Sequence, residues 1–288
     1  MPVRLSDRVK NFQIPQNMPG ILYIVPTPVG NLDDMTFRAV QVLKNADLIL
    51  AEDTRTSSVL LHHYDIHGRL QSHHKFNEHQ TAEMIKERIL GGLNVALISD
   101  AGTPGISDPG FLLARCCTAE GIEVQTLPCA TACIPAIVSS GLPCDRFCFE
   151  GFLPQKKGRR SVLEALKGET RTMIFYESPY RLAKCLALMA EVFGAERRCS
   201  VAREISKIHE QHHRGTLQEL AEWFTQNEAR GEIVIIVAGA SERQTENTEA
   251  EEVPQPAKIK TSKYRLKHGL EEEEENEEKE KDFRDREL

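Results

Sequence analysis

A chain of 288 residues, 40% of them hydrophobic, has apolar material for one or two cores, and its length favours two domains of modest size. No apolar run reaches membrane-spanning length and residues 1–20 lack the apolar stretch of an export signal, so a soluble, cytoplasmic protein with no membrane partner is expected. Of the net charge of −7, −6 belongs to residues 241–288, where ten Lys and Arg face sixteen Asp and Glu; residues 1–240 carry only −1, so the acidity does not exclude a nucleic-acid substrate.

After an N-terminal extension, 1–20, the apolar runs "ILYIV" (21–25), "DLILA" (47–51), "NVALIS" (94–99) and "IEVQTL" (122–127) alternate with helical patterns such as "TFRAVQVLKNA" and "QTAEMIKERILGG". That alternation predicts β-α repeats on a parallel sheet over residues 21–142. Strand-like runs return in "DRFCFEGF", "TRTMIFYE", "RRCSVARE" and "GEIVIIVAGA", with helices near 158–168, 179–193 and 217–227, and predict a second α/β domain over 143–240. Residues 241–288 are polar and highly charged and read as a disordered tail.

The eight cysteines are expected to stay reduced. Cys129/Cys133 and Cys144/Cys148 form two C-x3-C pairs, but one lies in the tight "LPCATA" turn and the other alternates with Phe147 and Phe149 as in a strand, so no metal site is assigned. The six histidines from His62 to His79 are read as solvated or packing residues.

In parallel sheets ligands sit beyond the carboxyl ends of strands, and four loops leave such ends: "PTPVGNLDD", "AEDTR", "SDAGTPGISDPG" and "LPCATA". The third is dense in glycine and proline, which lets backbone approach a ligand along a stiffened path. Neither G-x-x-x-x-G-K-[ST] nor G-x-G-x-x-G occurs in them, so a ligand held by backbone groups with an acidic side chain near a ribose or a cation is favoured over phosphate cradling. Asp108 before Pro109 is read as the cap of a following helix.

The segments "LYIVPTPVGNLDDMTFRA", "AEDTR", "LISDAGTPGISDPG", "GLPCDRFCFEGFLP" and "FYESPYRL", in that order over residues 21–240, resemble the bacterial small-subunit ribosomal RNA ribose methyltransferases of the tetrapyrrole-methylase superfamily. The resemblance implies a two-domain α/β fold, with a parallel-sheet N-terminal domain and a mixed-sheet C-terminal domain, and usually a homodimer. It implies S-adenosyl-L-methionine as cofactor, and as substrate the 2'-hydroxyl of a decoding-centre cytidine of 16S rRNA in the small ribosomal subunit. By the same analogy the cofactor site would use Pro28, the loop Asp100, Ala101, Gly102, Thr103, Pro104, Gly105 and Ile106, then Thr131, Ala132 and Tyr176. Cys129 replaces the family's usual glycine; a positive φ there would strain the turn by about 1–3 kcal/mol.

Transfer to a hydroxyl needs alignment and a route for the proton. Glu52, Asp53, Glu78, Asp100 and Glu177 are candidate bases, with Asn77 and Glu78 the leading catalytic pair because their polar segment follows a short strand-like stretch. Lys156, Lys157, Arg159 and Arg160 of "QKKGRR" are the candidate RNA contacts, with Arg55 and Arg203 as further ones.

Overall fold

The computed structural model describes residues 19–240; the N-terminal extension through residue 18 and the charged tail lie outside the described residues. Five short strands, β1 (Leu22–Ile24), β2 (Leu48–Ala51), β3 (Leu70–Ser72), β4 (Val95–Ile98) and β5 (Val124–Thr126), form one sheet in the order β3-β2-β4-β1-β5. All four pairings are parallel, as the β-α alternation predicts.

Period-two packing makes this sheet an interior layer. Leu48 and Leu50, with Val95 and Leu97, face α3 (Glu78–Leu90) and α4 (Phe111–Ala119), meeting Ile85, Ile89 and Leu113. Their neighbours Ile49, Ala51, Ala96 and Ile98 face the other way, onto Leu43 of α1 (Phe37–Asn45) and Leu61 of α2 (Thr54–His63). Burial on both faces is why these runs are continuously apolar.

The second sheet has the order β6-β7-β10-β8-β9, from β6 (Phe147–Phe152), β7 (Thr172–Glu177), β8 (Arg198–Arg203), β9 (Gln211–Thr216) and β10 (Ile233–Val237). Only β6 and β7 run parallel; the other pairings are antiparallel, so the sheet is mixed. One face carries Met173, Phe175, Val201, Ile233 and Ile235 beneath α6 (Arg159–Leu166), α7 (Leu182–Phe193) and α8 (Leu217–Gln226). The other face, with Ile174, Ala202, Val234 and Ile236, packs on Ala136 and Ile137 of α5 (Cys133–Ser140). The chain therefore passes from the first core to the second at α5, before Pro143.

β9 is absent from the strands read in the sequence. It is an edge strand of polar composition paired only to β8, so no apolar alternation announces it. No helix among the described residues is long and apolar enough to cross a membrane.

Candidate functional site

A cleft of about 510 Å³ opens where the carboxyl ends of several strands converge. Val29 follows β1, Glu52 follows β2, Asp100 to Asp108 follow β4, and Thr131 and Ala132 follow β5. From the second sheet come Phe152 at the end of β6, Tyr176 to Pro179 at the end of β7, and Gly231 to Val234 leading into β10. Because β10 is antiparallel to β7, with Ile233 beside Glu177, the start of one strand and the end of the other meet at this rim.

The loop after β4 is held from several sides. Thr27 and Gly102 exchange both backbone hydrogen bonds at 2.9 Å, joining the loops after β1 and β4. The Thr27 hydroxyl donates to the Ser99 carbonyl at 3.0 Å, and that of Thr103 to the Ala130 carbonyl at 3.3 Å. Gly102 sits at φ +78°, a conformation that glycine adopts without steric cost. Ser107, at φ 70°, holds a left-handed conformation without that freedom, directly beside Asp108. Such strain, of order 1–3 kcal/mol, persists where surrounding structure enforces it.

Glu52, Asp100 and Asp108 bring three carboxylates to one wall. Burial, then repulsion from Glu52 and Asp100, pushes Asp108 up to about 7, against a hydrogen bond with the Ser99 side chain that lowers it. Glu52 is also raised, chiefly by burial and then by Asp100, with His74 opposing. The same cleft is lined by aromatic side chains, Tyr176 and Phe152, and Tyr176 meets Phe149 and Phe152 edge-on, with ring centroids 5.1 and 5.5 Å away. Burial, with the neighbouring Cys133, raises the Tyr176 phenol well above its ordinary value.

Of the residues expected at a cofactor site, Asp100, Ala101, Gly102, Thr103, Ile106, Thr131, Ala132 and Tyr176 line this cleft. Pro28, Pro104 and Gly105 do not; they shape the loops behind it, with Gly105 N–H donating to the Pro109 carbonyl at 3.1 Å. Asp108 corrects a sequence expectation. α4 starts at Phe111 with Gly110 as its cap residue, so Asp108 does not cap it and faces the cleft instead.

The cap comes from Glu78. Its Oε1 accepts from the backbone N–H groups of Gly110, at 2.8 Å, and Leu112, at 3.1 Å. Behind it, buried His73 bonds through Nδ1 to the Thr81 hydroxyl at 2.8 Å, with Nε2 4.0 Å from Glu78 Oε1. Burial lowers the His73 pKa, opposed by Glu78. Asn77 accepts from the His74 N–H at 2.7 Å and donates to the Ser72 carbonyl at 3.3 Å, pinning the turn between them. Thus the leading catalytic pair of the sequence reading stands outside the cleft lining and is spent on backbone groups.

Asp53 caps α2, accepting from the Arg55 N–H at 2.8 Å, and lies outside the lining. Glu177 lies at the rim but is buried, held by Arg159 at 3.0 Å and Arg181 at 2.8 Å. Arg160 pairs with Glu164 and Glu191, and Arg55 with Asp53. Arg203 donates to the Arg230 carbonyl and the Gln211 side chain. Lys156 and Lys157 are exposed and make no ion pair among the described residues. Cys129 is not among the residues with positive φ, so the expected strain is not present; its Sγ lies 3.4 Å from the Asp34 carbonyl.

Phe152, Ser107 and Gly231 to Val234 were not singled out from sequence. Phe152 lay within a recognised segment, whereas the start of β10 carries no chemical signal of its own. Among the described residues no group of three or more His, Cys, Asp or Glu is arranged to hold a metal ion.

Residues 21–221 match the family model of tetrapyrrole (corrin/porphyrin) methylases. The chain is 49% identical over 234 residues to a ribosomal RNA small subunit methyltransferase I of Escherichia coli O157:H7, covering 80% of this chain and 82% of that one. Against the protein of the same name from Bacillus subtilis strain 168 it is 44% identical over 250 residues, 86% and 84% of the two chains. Among solved structures, uroporphyrin-III-C-methyltransferase from Thermus thermophilus shares the fold at a TM-score of 0.55 and 17% identity, covering 77% of this chain and 95% of that one.

Proposed function

The chain belongs to the tetrapyrrole (corrin/porphyrin) methylase family, among relatives named ribosomal RNA small subunit methyltransferase I, and we propose that it methylates the 2'-hydroxyl of a decoding-centre cytidine in 16S rRNA. The methyl donor is S-adenosyl-L-methionine, the acceptor is presented in the small ribosomal subunit, and the enzyme works in the cytoplasm as a homodimer.

The observation that carries this reading is the juxtaposition, in one cleft, of a carboxylate wall with an apolar and aromatic wall. A donor bearing a sulfonium and an ammonium group suits the carboxylates, and its adenosine suits Val29, Ile106 and Tyr176. The open backbone at Gly102, where an added Cβ would lie 3.5 Å from Val29, leaves room for close approach. Asp100, Gly102, Thr103, Ile106, Thr131, Ala132 and Tyr176 are the residues that would hold the donor, with Pro28, Pro104 and Gly105 shaping their loops. Bound there, the donor supplies an electrophilic methyl group.

The protein must then align a hydroxyl and take its proton. Asp108 is the base: its carboxylate accepts the 2'-hydroxyl proton, and burial, reinforced by Glu52 and Asp100, raises its affinity for that proton to near neutrality. Catalytic pKa values near the working pH give the best compromise between being unprotonated and being basic. Lys156 and Lys157 contact RNA phosphates.

The test offers purified protein and labelled S-adenosyl-L-methionine two acceptors, unmodified small ribosomal subunits and a tetrapyrrole. Label in the RNA alone supports the assignment. Label in the tetrapyrrole, or none with the donor bound, overturns it.

A further inference from the structure

Two aromatic side chains near the cleft bury little: Phe76 is 92% exposed, with the His74 ring edge-on at 6.0 Å, and Tyr180 is 93% exposed. Exposure of such rings forfeits burial, yet both stand on turns that the structure holds firmly. Tyr180 lies in the 3-10 turn Pro179–Arg181, where the buried Glu177 accepts from the Ser178 N–H at 2.7 Å and from Arg181 Nε at 2.9 Å. Phe76 lies in the turn pinned by Asn77, and its own N–H donates to His74 Nδ1 at 3.2 Å. Both turns adjoin the site. Ser178 and Pro179 line the cleft, and Glu78, two residues after Phe76, holds the Gly110 N–H at 2.8 Å where the cleft loop enters α4.

Resting on the RNA reading of the preceding section, we propose that Phe76 and Tyr180 are stacking platforms for unpaired RNA bases flanking the target nucleotide. An aromatic ring offers every base a π-face, and RNA is commonly recognised on unstacked bases laid against such rings. Charge complementarity favours this occupant. Lys75 adjoins Phe76, and Lys156 and Lys157 follow the half-exposed cleft residue Phe152, so cations for phosphates accompany rings for bases. Asn77 and Glu177 are then positioning residues, holding the turns that display the rings.

The experiment compares wild type with Phe76→Ala, Tyr180→Ala, Phe76→Leu and Phe76→Trp. It measures the KM for unmodified small subunits, the affinity for a fluorescent single-stranded oligoribonucleotide without donor, donor affinity by calorimetry, and sedimentation. The alanine and leucine variants are expected to raise KM and weaken oligonucleotide binding at least about fivefold, with donor affinity unchanged, while Trp retains wild-type behaviour. Unchanged RNA affinity, or Leu serving as well as Phe, overturns the stacking role. A variant that changes the oligomeric state overturns it in favour of an interface between copies of this chain. Wild-type protein that methylates no RNA overturns the preceding reading itself, and this inference with it.

Discussion

Glu78 Oε1 accepts a 2.8 Å hydrogen bond from the backbone N–H of Gly110, so a carboxylate on α3 caps α4 from 32 residues away and fixes the far end of the cleft loop. Loss of a buried acceptor leaves the N–H groups of Gly110 and Leu112 unpaired, at a cost of about 1–3 kcal/mol each. Glu78→Ala is therefore expected to lower the melting temperature by several degrees and weaken donor binding, whereas Glu78→Gln keeps an acceptor oxygen and loses less. Thermal denaturation and calorimetry of both variants check this; equal stability of Glu78→Ala and wild type would contradict it.

Asp108 governs the pH dependence. With its carboxyl pushed up to about 7, the base is protonated below neutrality, and kcat/KM should rise tenfold per pH unit below about 7 and level off above it. Asp108→Asn should cost about 10²- to 10⁴-fold and remove that rising limb, at little cost in stability. The sign for folding is opposite. A carboxyl with a raised folded pKa binds its proton more tightly in the native state, so its contribution is full below the ordinary value of 3.8 and is lost as pH rises to about 7. Unfolding curves of wild type and Asp108→Asn should consequently diverge between those pH values, the wild type losing stability relative to the variant.

The basic segment separates into two behaviours. Arg159, its side chain 13% exposed, pairs with the buried Glu177 at 3.0 Å, so Arg159→Ala leaves one oxygen of that carboxylate unpaired while Arg181 still holds the other, and should destabilise the fold by about 1–3 kcal/mol. Lys156→Ala and Lys157→Ala should leave the melting temperature unchanged while weakening subunit binding and reducing its salt dependence by about one charge each. Binding titrations at several salt concentrations, beside melting curves, distinguish the two classes.

Gly102 is held in a backbone conformation, rather than a tight space, that resists a side chain. Its φ of +78° costs any other residue about 1–2 kcal/mol, and the exchange of hydrogen bonds with Thr27 leaves no freedom to escape it. Gly102→Ala should weaken donor binding about tenfold or more by calorimetry, with secondary structure preserved by circular dichroism.

Much of the architecture was legible because β2 and β4 are buried on both faces and so read as unbroken apolar runs. β9 was not, since an edge strand of "QHHRGT" buries too little to leave a pattern. Within the site, the glycine and proline loop announces itself through composition, and Asp100 to Thr103 line the cleft. Asp108 was misread for a definite reason: Asp-Pro is the local signature of a helix start, and nothing local reveals that Glu78 already supplies the cap. Glu78 is a candidate base because its polar segment follows a short strand-like stretch, and its bond to Gly110 joins residues too far apart in the chain for sequence to show. Sequence reading recovers what neighbours along the chain determine, and it fails where residues distant in the chain share one hydrogen bond.

Methylation of unmodified small ribosomal subunits with labelled S-adenosyl-L-methionine, followed by digestion of the RNA and mass spectrometry, locates the transferred group. A single 2'-O-methylcytidine in the decoding region, lost with Asp108→Asn, is the expected outcome. Label on a base, on ribosomal protein, or on no component of the subunit would overturn the assignment of a ribose methyltransferase.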